Sequence, residues 1–490
     1  MPIDILHDDV LLAIFDFYMD ETSDGVLYGK QEIEVWLPLV HVSRRWRSVV
    51  FGSPRRLNLR LACTPMTPAR DMLGVWPALP VVVWSHITYR AESVDNITAA
   101  LERSDRVCQV SLVNLRSSQL EKVLAAMQKP FPELTHLELY THDTVQVLSD
   151  SLLGESAPHL QLLRLQGIPL PGLLTLLLSA THLVDLHLYD IPHSGYMSPE
   201  AMVSALSTLA NLRSLLFEFQ SPRSRPDQAC RRPPPSTRSV LPIITFCFRG
   251  VNEYLEDIVA RIDAPRLDLL SIDLLSIDLF NDIVFDTPQL FQFINRTPTL
   301  KSFGKARVYF GDYGGTVNLF SQPSVHGELF VTIRCGELDW TVSFLEQVST
   351  SCFPRLSVLE DLYIFKVQHR QPHWQDNIEN TSWLEILHPF TAVKNLYLCE
   401  EFAPRIVPAL QELVEGRATD VLPALENIFL ERLQESGPVQ EGIVQFVATR
   451  QVAGYPTAVS RWEGLQVDMA PRTRFLPALG SRRAILNTIY

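Results

Sequence analysis

Lysine is scarce in this sequence. Of its 42 basic residues only seven are Lys, at 30, 122, 129, 301, 305, 366 and 394, and the rest are Arg. Compositional bias accounts for this, or else a chain that offers few lysines as acceptors for ubiquitin. Positive charge is not in surplus either: 55 acidic residues give a net charge of −13 and a pI near 5.5. Such a surface repels a phosphate backbone, so no nucleic acid is expected as partner. Cysteine is sparse and odd in number, seven in all, at 63, 108, 230, 247, 335, 352 and 399, with no CxxC pair. That argues against a disulfide framework and a Cys-rich zinc site, and for a reducing compartment. The N-terminus, MPIDILHDDVLLAIF, is acidic where a signal peptide needs positive charge. Long apolar runs are missing too, since a bilayer span needs about 20 residues. The longest candidate, Leu170–Ala180, is interrupted by Pro171, Gly172 and Thr175. No membrane is expected, and the compartment is read as cytoplasmic and/or nuclear.

Motifs that carry chemistry are also missing. The chain has no GxSxG, HExxH, GxxxxGK[ST] or GxGxxG. The densest polar cluster is His369, His373 and Asp376, but Pro372 breaks the helix that would align the two histidines on a metal. A polar loop is the better reading. His136, His159, His182 and His187 lie near strands or turns and are read as exposed or internally satisfied. No catalytic residue, cofactor or metal ligand is expected. An enzyme with a dispersed Cys/His site stays as a third class, because such pairs are distant in sequence.

What is present begins with two amphipathic segments. In ILHDDVLLAIFDFY, Leu6, Val10, Ile14 and Tyr18 recur at every fourth residue, with Leu11 and Phe15 beside them. Asp8 and Asp9 suit the positive end of that helix. A polar loop from Asp20 to Gly25 follows. A second helix is then expected through WLPLVHVSRRWRSVV, with Leu39, Val42 and Trp46 on one face and Gly52, Ser53 and Pro54 ending it. Patterning alone favours a helical cap for the following domain over a docking module.

These residues resemble an F-box, the module that docks onto the Skp-type adaptor of cullin ubiquitin ligases. The family opens Leu-Pro-x-Glu, a hydrophobic pair, then Ile-Phe; here Leu6, Asp9, Val10, Leu11, Ile14 and Phe15 fall at the matching places. Its second half ends Val-Cys-Arg-x-Trp-Arg, matched by Val42, Ser43, Arg44, Arg45, Trp46 and Arg47. His7 replaces the family's Pro, and the interval between the halves is roughly ten residues longer, which a loop absorbs at small entropic cost. The phrase FGSPRRLNLRLACTP that follows resembles F-box proteins of mushroom-forming fungi (basidiomycetes). The resemblance implies partner contacts by Leu6, Val10, Ile14, Phe15, Leu39, Val42, Arg45 and Trp46, with Phe15 and Trp46 as the main anchors.

The body repeats. Writing φ for an apolar residue, φ-x-x-φ-x-φ is met at Val107, Val110, Leu112; Leu134, Leu137, Leu139; Leu160, Leu163, Leu165; Leu183, Leu186, Leu188; and Leu212, Leu215, Phe217. The starts lie 27, 26, 23 and 29 residues apart, the unit length of leucine-rich repeats. The pattern returns at Leu267, Leu270, Ile272; Leu359, Leu362, Ile364; Val393, Leu396, Leu398; and Leu425, Ile428, Leu430, with insertions between. Leu300 opens another unit that Lys305 breaks. Segments between strands, such as QLEKVLAAMQKPF and SPEAMVSALSTLAN, have helical spacing, with Ser198 and Pro199 as cap and first position. Strand and helix in alternation predict a parallel sheet with helices outside. The tandem LLSIDLLSID at 269–278 has an odd period, which predicts a bulge or corner. QSPRSRPDQACRRPPPSTRSVLP reads as an exposed loop, GIVQFVATR as a helix capping the repeats, and Trp462 as packing.

The expected fold class is therefore α/β, an N-terminal helical F-box followed by an irregular leucine-rich repeat-like solenoid. Its parts are a helical module (1–54), linker and first strands (55–100), repeats (101–219), a Pro/Arg-rich exposed loop (220–242), irregular repeats (243–436), and a capping helix and tail (437–490). The function expected is that of a substrate-recognition adaptor of an SCF-type ligase, holding an unknown substrate protein. The alternative is a non-ligase repeat scaffold whose N-terminal helices only cap the solenoid.

Overall fold

The apolar triplets dictate the architecture. All nine are buried, with no member more than 3% exposed. Each triplet ends in a strand, whose alternation sends two of its residues to one side of a sheet. The computed structural model describes residues 6–23, 34–86, 94–143, 151–169, 171–221, 237–275, 287–301, 303–311, 314–321, 327–334, 356–366, 379–413, 419–431 and 437–462. Its strands are β1 (Leu61–Cys63), β2 (Val81–His86), β3 (Val107–Leu115), β4 (His136–Thr141), β5 (Leu162–Gln166), β6 (Asp185–Ile191), β7 (Ser214–Phe219), β8 (Ser239–Val240) and β9 (Thr245–Gly250). They continue with β10 (Ile262–Asp263), β11 (Leu269–Leu275), β12 (Phe303–Gly311), β13 (Gly314–Ser321), β14 (Glu328–Arg334), β15 (Asp361–Lys366), β16 (Asn395–Leu398), β17 (Asn427–Glu431) and β18 (Ala458–Trp462).

Sixteen of these form one sheet, in the order β1 to β7, β9, β11, β14, β13, β12, β15 to β18. The triplets stack in register: Val110, Leu137, Leu163, Leu186 and Leu215 pair in turn across β3 to β7. Helices between strands, among them Ser117–Ala126, Pro199–Leu206 and Ala403–Gln411, bury Leu120, Met202 and Ile406 in the same core. The chain is thus mixed α/β with a long, mostly parallel sheet. Ser198 caps its helix as expected, its Oγ accepting from the Ala201 N–H at 3.3 Å. The other side of the sheet, here called the open face, carries the residues between the apolar ones.

Several expectations need correction. The second N-terminal helix is two, Leu37–Val42 and Arg44–Gly52. Ser43 is extended between them, and its hydroxyl accepts from the Trp46 N–H at 3.1 Å, so it starts a new helix instead of continuing the old one. The sheet is not parallel throughout, because β12, β13 and β14 form an antiparallel meander inserted between two parallel stretches. Lys305 does not end a unit. A register shift between Phe303 and Lys305 flips the alternation, so Ala306, Val308 and Phe310 become the buried set.

A further unit, Ile243, Phe246 and Phe248, is fully integrated in the sheet as β9. Strand β11 runs in even register to Leu275, with no bulge among the described residues of the tandem. Part of the expected 220–242 loop is the short strand β8, paired with β10, while 222–236 lie outside the described residues. At the far end the helix Pro438–Val452 is followed by β18, so a strand, not the helix, forms the last member of the sheet. His369, His373 and Asp376 also lie outside the described residues.

Candidate functional site

The first helix, Asp8–Ser23, has a wider apolar face than its packing uses. Leu11, Leu12 and Phe15 turn inward. Phe15 meets Trp46 with ring centroids 4.7 Å apart, tilted by 56°. Arg45 ties the helix start to this pair, donating to the Asp8 carboxylate at 2.7 Å and to the Leu6 carbonyl. The module then locks onto the body. Trp36 Nε1 donates to the Arg60 carbonyl at 2.9 Å, and Glu34 accepts from the Ala62 N–H on β1 at 3.1 Å. Trp36 also meets Phe51 and Trp76 edge-on, at 5.8 and 5.5 Å.

Of the eight expected contact residues, Phe15, Leu39 and Trp46 are buried inside the chain and hold the helices to one another. Leu6 and Arg45 are half-buried. Val10, Ile14 and Val42 are exposed, by 45%, 42% and 58%. Phe17, 65% exposed, and Tyr18 join Val10 and Ile14 on the outer side of the first helix, at spacings of four, three and four residues. Phe17 lies three residues past Ile14, and that spacing was the available signal for it. Trp46 Nε1 is buried and finds no acceptor among the described residues.

The open face is a second candidate. From β3 to β17, one residue of each strand of the main sheet, the one between the last two apolar members of its unit, forms a continuous cross-strand row. It runs Ser111, Glu138, Arg164, His187, Leu216, Cys247, Ser271, then Phe330, Asn318 and Arg307 in the meander, then Tyr363, Tyr397 and Phe429. Its first part satisfies itself. Ser111 donates to Glu138 at 2.8 Å, and Arg164 pairs with Glu138 at 2.8 Å and donates to His187 Nδ1 at 3.2 Å. Arg249 pairs with Glu218 and lies 3.6 Å from Asp273.

His187 and Ser214 lie 2.8 Å apart, the distance of a nucleophile and its base. The proton bookkeeping opposes that role. Arg164 can only donate, so Nδ1 of His187 must accept, and Nε2 carries the hydrogen given to Ser214. Burial, and then the Arg164 charge, push the imidazole down to about 3. A base for Ser214 would need the opposite tautomer. His187 is thus a satisfied buried histidine, while His159 and His182 are exposed and stack at 5.8 Å.

The second part of the row is aromatic. Tyr363 and Tyr397 stack at 4.1 Å, and Tyr397 and Phe429 at 4.4 Å, each pair within 8° of parallel. Trp462 lies across the two tyrosines at 6.1 and 5.5 Å, tilted by 60° and 67°. Arg307 sits over Phe320 at 4.6 Å and Tyr363 at 5.9 Å. Beside the stack, Asn427 donates to Asn395 and Asn395 to Asp361, both at 2.8 Å. Cys399, Glu401 and Glu431 bring ligand-type atoms within 4.8 Å of one another. Burial pushes the Cys399 thiol up to about 12, so it keeps its proton in the chain as it stands.

No helix among the described residues is long and apolar enough to cross a membrane. No family model matches the chain, and no curated protein matches it. Among solved structures, the leucine-rich repeat-containing protein LegL7 from Legionella pneumophila is a distant match, 12% identical, covering 82% of this chain and 99% of that one with a TM-score of 0.29.

Proposed function

We propose that this chain is a non-catalytic adaptor of an SCF-type ubiquitin ligase, in the cytoplasm and/or nucleus. Its N-terminal helices dock onto the Skp-type adaptor, and its sheet holds a substrate protein. One observation carries the reading. The first helix leaves Val10, Ile14, Phe17 and Tyr18 outside after Leu11 and Phe15 have packed inside. A helix whose inner side is already satisfied has no internal use for a second apolar stripe, and such stripes mark partner surfaces. Burying these side chains contributes several kcal/mol at about 25 cal/mol per Å².

The test uses the exposed stripe, because Phe15→Asp or Trp46→Asp would put a charge into the module's own interior. Wild-type protein is expected to capture the Skp-type adaptor in a pull-down. Ile14→Asp with Phe17→Asp is expected to abolish capture and leave the melting of the body unchanged. A wild type that does not bind that adaptor rejects the reading. A second reading, a repeat scaffold whose helices only cap the sheet, is favoured by the bonds from Trp36 and Glu34 to the chain around β1. It predicts that deleting residues 1–54 destabilises the body and that the stripe variants change no interaction.

A further inference from the structure

We propose that Arg307, on the aromatic part of the open face, receives the carboxylate of an Asp or Glu side chain in an extended segment of the bound protein. The inference rests on the reading above that the sheet holds a substrate, and it names the chemistry of that contact. Arg307 is half-buried, stacked over Phe320 and near Tyr363. No carboxylate among the described residues lies in ion-pair distance of it, whereas Arg164, Arg249 and Lys305 on the same face are all paired. Its Nε is buried without an acceptor. Its register partner on β13, Asn318, is 7% exposed, and its Oδ1 is buried without a donor. Both of these atoms are closed off from the surface, so the charge of Arg307 is left uncompensated from below, and its Nη groups, which are not closed off, are what a partner can meet.

An acidic residue in an extended chain laid along the face supplies the missing charge, its carboxylate accepting from the Nη edge of the stacked guanidinium. A singly charged carboxylate fits better than a phosphate. Asp361 and Glu328 stand on the strands flanking this site, and Lys305, two residues before Arg307, is already bridged to Asp361 at 3.3 Å. The net charge of −13 repels acidic peptides elsewhere, so their binding reports a specific site.

The probe is a random-sequence linear peptide library selected on the full-length protein. Wild type is expected to enrich peptides containing Asp or Glu, and Arg307→Gln to bind those peptides about tenfold more weakly or less, the loss expected for a charge-assisted pair. Replacing the acidic residue in a selected peptide by its amide is expected to weaken wild-type binding equally and the variant's binding hardly at all. Arg307→Lys is expected to restore part of the affinity, which a purely stacking role for Arg307 would not do. Selection that enriches no acidic residue, or peptides that bind Arg307→Gln as well as wild type, overturns the proposal, as does preference for phosphate-bearing versions of the same peptides. Capture of the Skp-type adaptor by Arg307→Gln separates the two readings. If capture persists while acidic peptides are not selected, only this inference falls. If acidic peptides are selected while wild type captures no adaptor, only the ligase reading falls.

Discussion

Two arginines stand in the same cross-strand row of one sheet and live in opposite surroundings. Arg164, on β5, is almost fully buried between Glu138 and His187, with a charge partner at 2.8 Å and the imidazole accepting from its Nε. Arg307, on β12, lies over rings and has no carboxylate partner among the described residues. The backbone template is common to both, since each residue flanks buried apolar neighbours in a strand of the same sheet. What differs is the identity of the adjacent row members, acid and imidazole in one case, ring and amide in the other. A repeat sheet can thus be self-neutralised along one stretch and carry a charge without a carboxylate partner along another, with no change of fold.

The comparison is broken most strongly at Glu138. Glu138→Ala removes the carboxylate 2.8 Å from the buried Arg164 guanidinium, which costs about 3–5 kcal/mol. A chemical denaturation midpoint close to that of wild type would show that the network does not neutralise itself as described. The same network carries a pH signature. His187 holds about 3 in the folded chain against an ordinary 6.5, so between those values the unfolded state binds the extra proton. Stability is complete above pH 6.5, falls as pH drops, and is lower by about 2 kcal/mol at pH 5. Denaturation midpoints across pH 5 to 7 should lose that slope in His187→Gln, whose amide can still accept from Arg164 and donate to Ser214.

The row shows in the sequence only once the strand register is known. Aligning V-S-L, L-E-L, L-R-L and L-H-L with L-Y-I, L-Y-L and I-F-L puts Ser111, Glu138, Arg164 and His187 in one column with Tyr363, Tyr397 and Phe429. The apolar members were legible because burial restricts their chemistry. The column between them was not, because polar and aromatic residues in a half-buried position have no periodic signature of their own. The unit at Ile243 was hidden by Phe246 and Phe248 in place of leucines, directly after a Pro-rich stretch. The meander escaped because its strands have no helices between them, and its bulge at Phe303 to Lys305 shifts the alternation by one. At the N-terminus the pattern marked an apolar helix but not which half of its face the body consumes. That division depends on Trp46 and Trp36, which are distant in sequence from Phe15.

Smaller effects sharpen the contrast on the aromatic side. Tyr397 is held by two parallel ring contacts, each worth about 0.5–1.5 kcal/mol beyond its area. Tyr397→Ala should therefore cost about 1–3 kcal/mol beyond the lost area, and a double-mutant cycle with Tyr363→Ala should return a coupling energy of one such pair. No coupling would mean that the stack is a by-product of strand spacing.

Arg307 gives the smallest effect on stability and the most informative one. A guanidinium over a ring at a half-exposed site contributes about 0.5–1 kcal/mol, and Arg307→Gln removes no ion pair. The variant should therefore unfold within about 1 kcal/mol of wild type, whereas Arg164→Gln, which leaves Glu138 without its charge partner inside the sheet, should fall several kcal/mol lower. Equal losses would mean that Arg307 holds its own fold together as strongly as Arg164 does. Near-neutrality at Arg307 would mean that a charge is kept half-buried on the open face without repaying the chain in stability, and the return for it must then come from a bound partner.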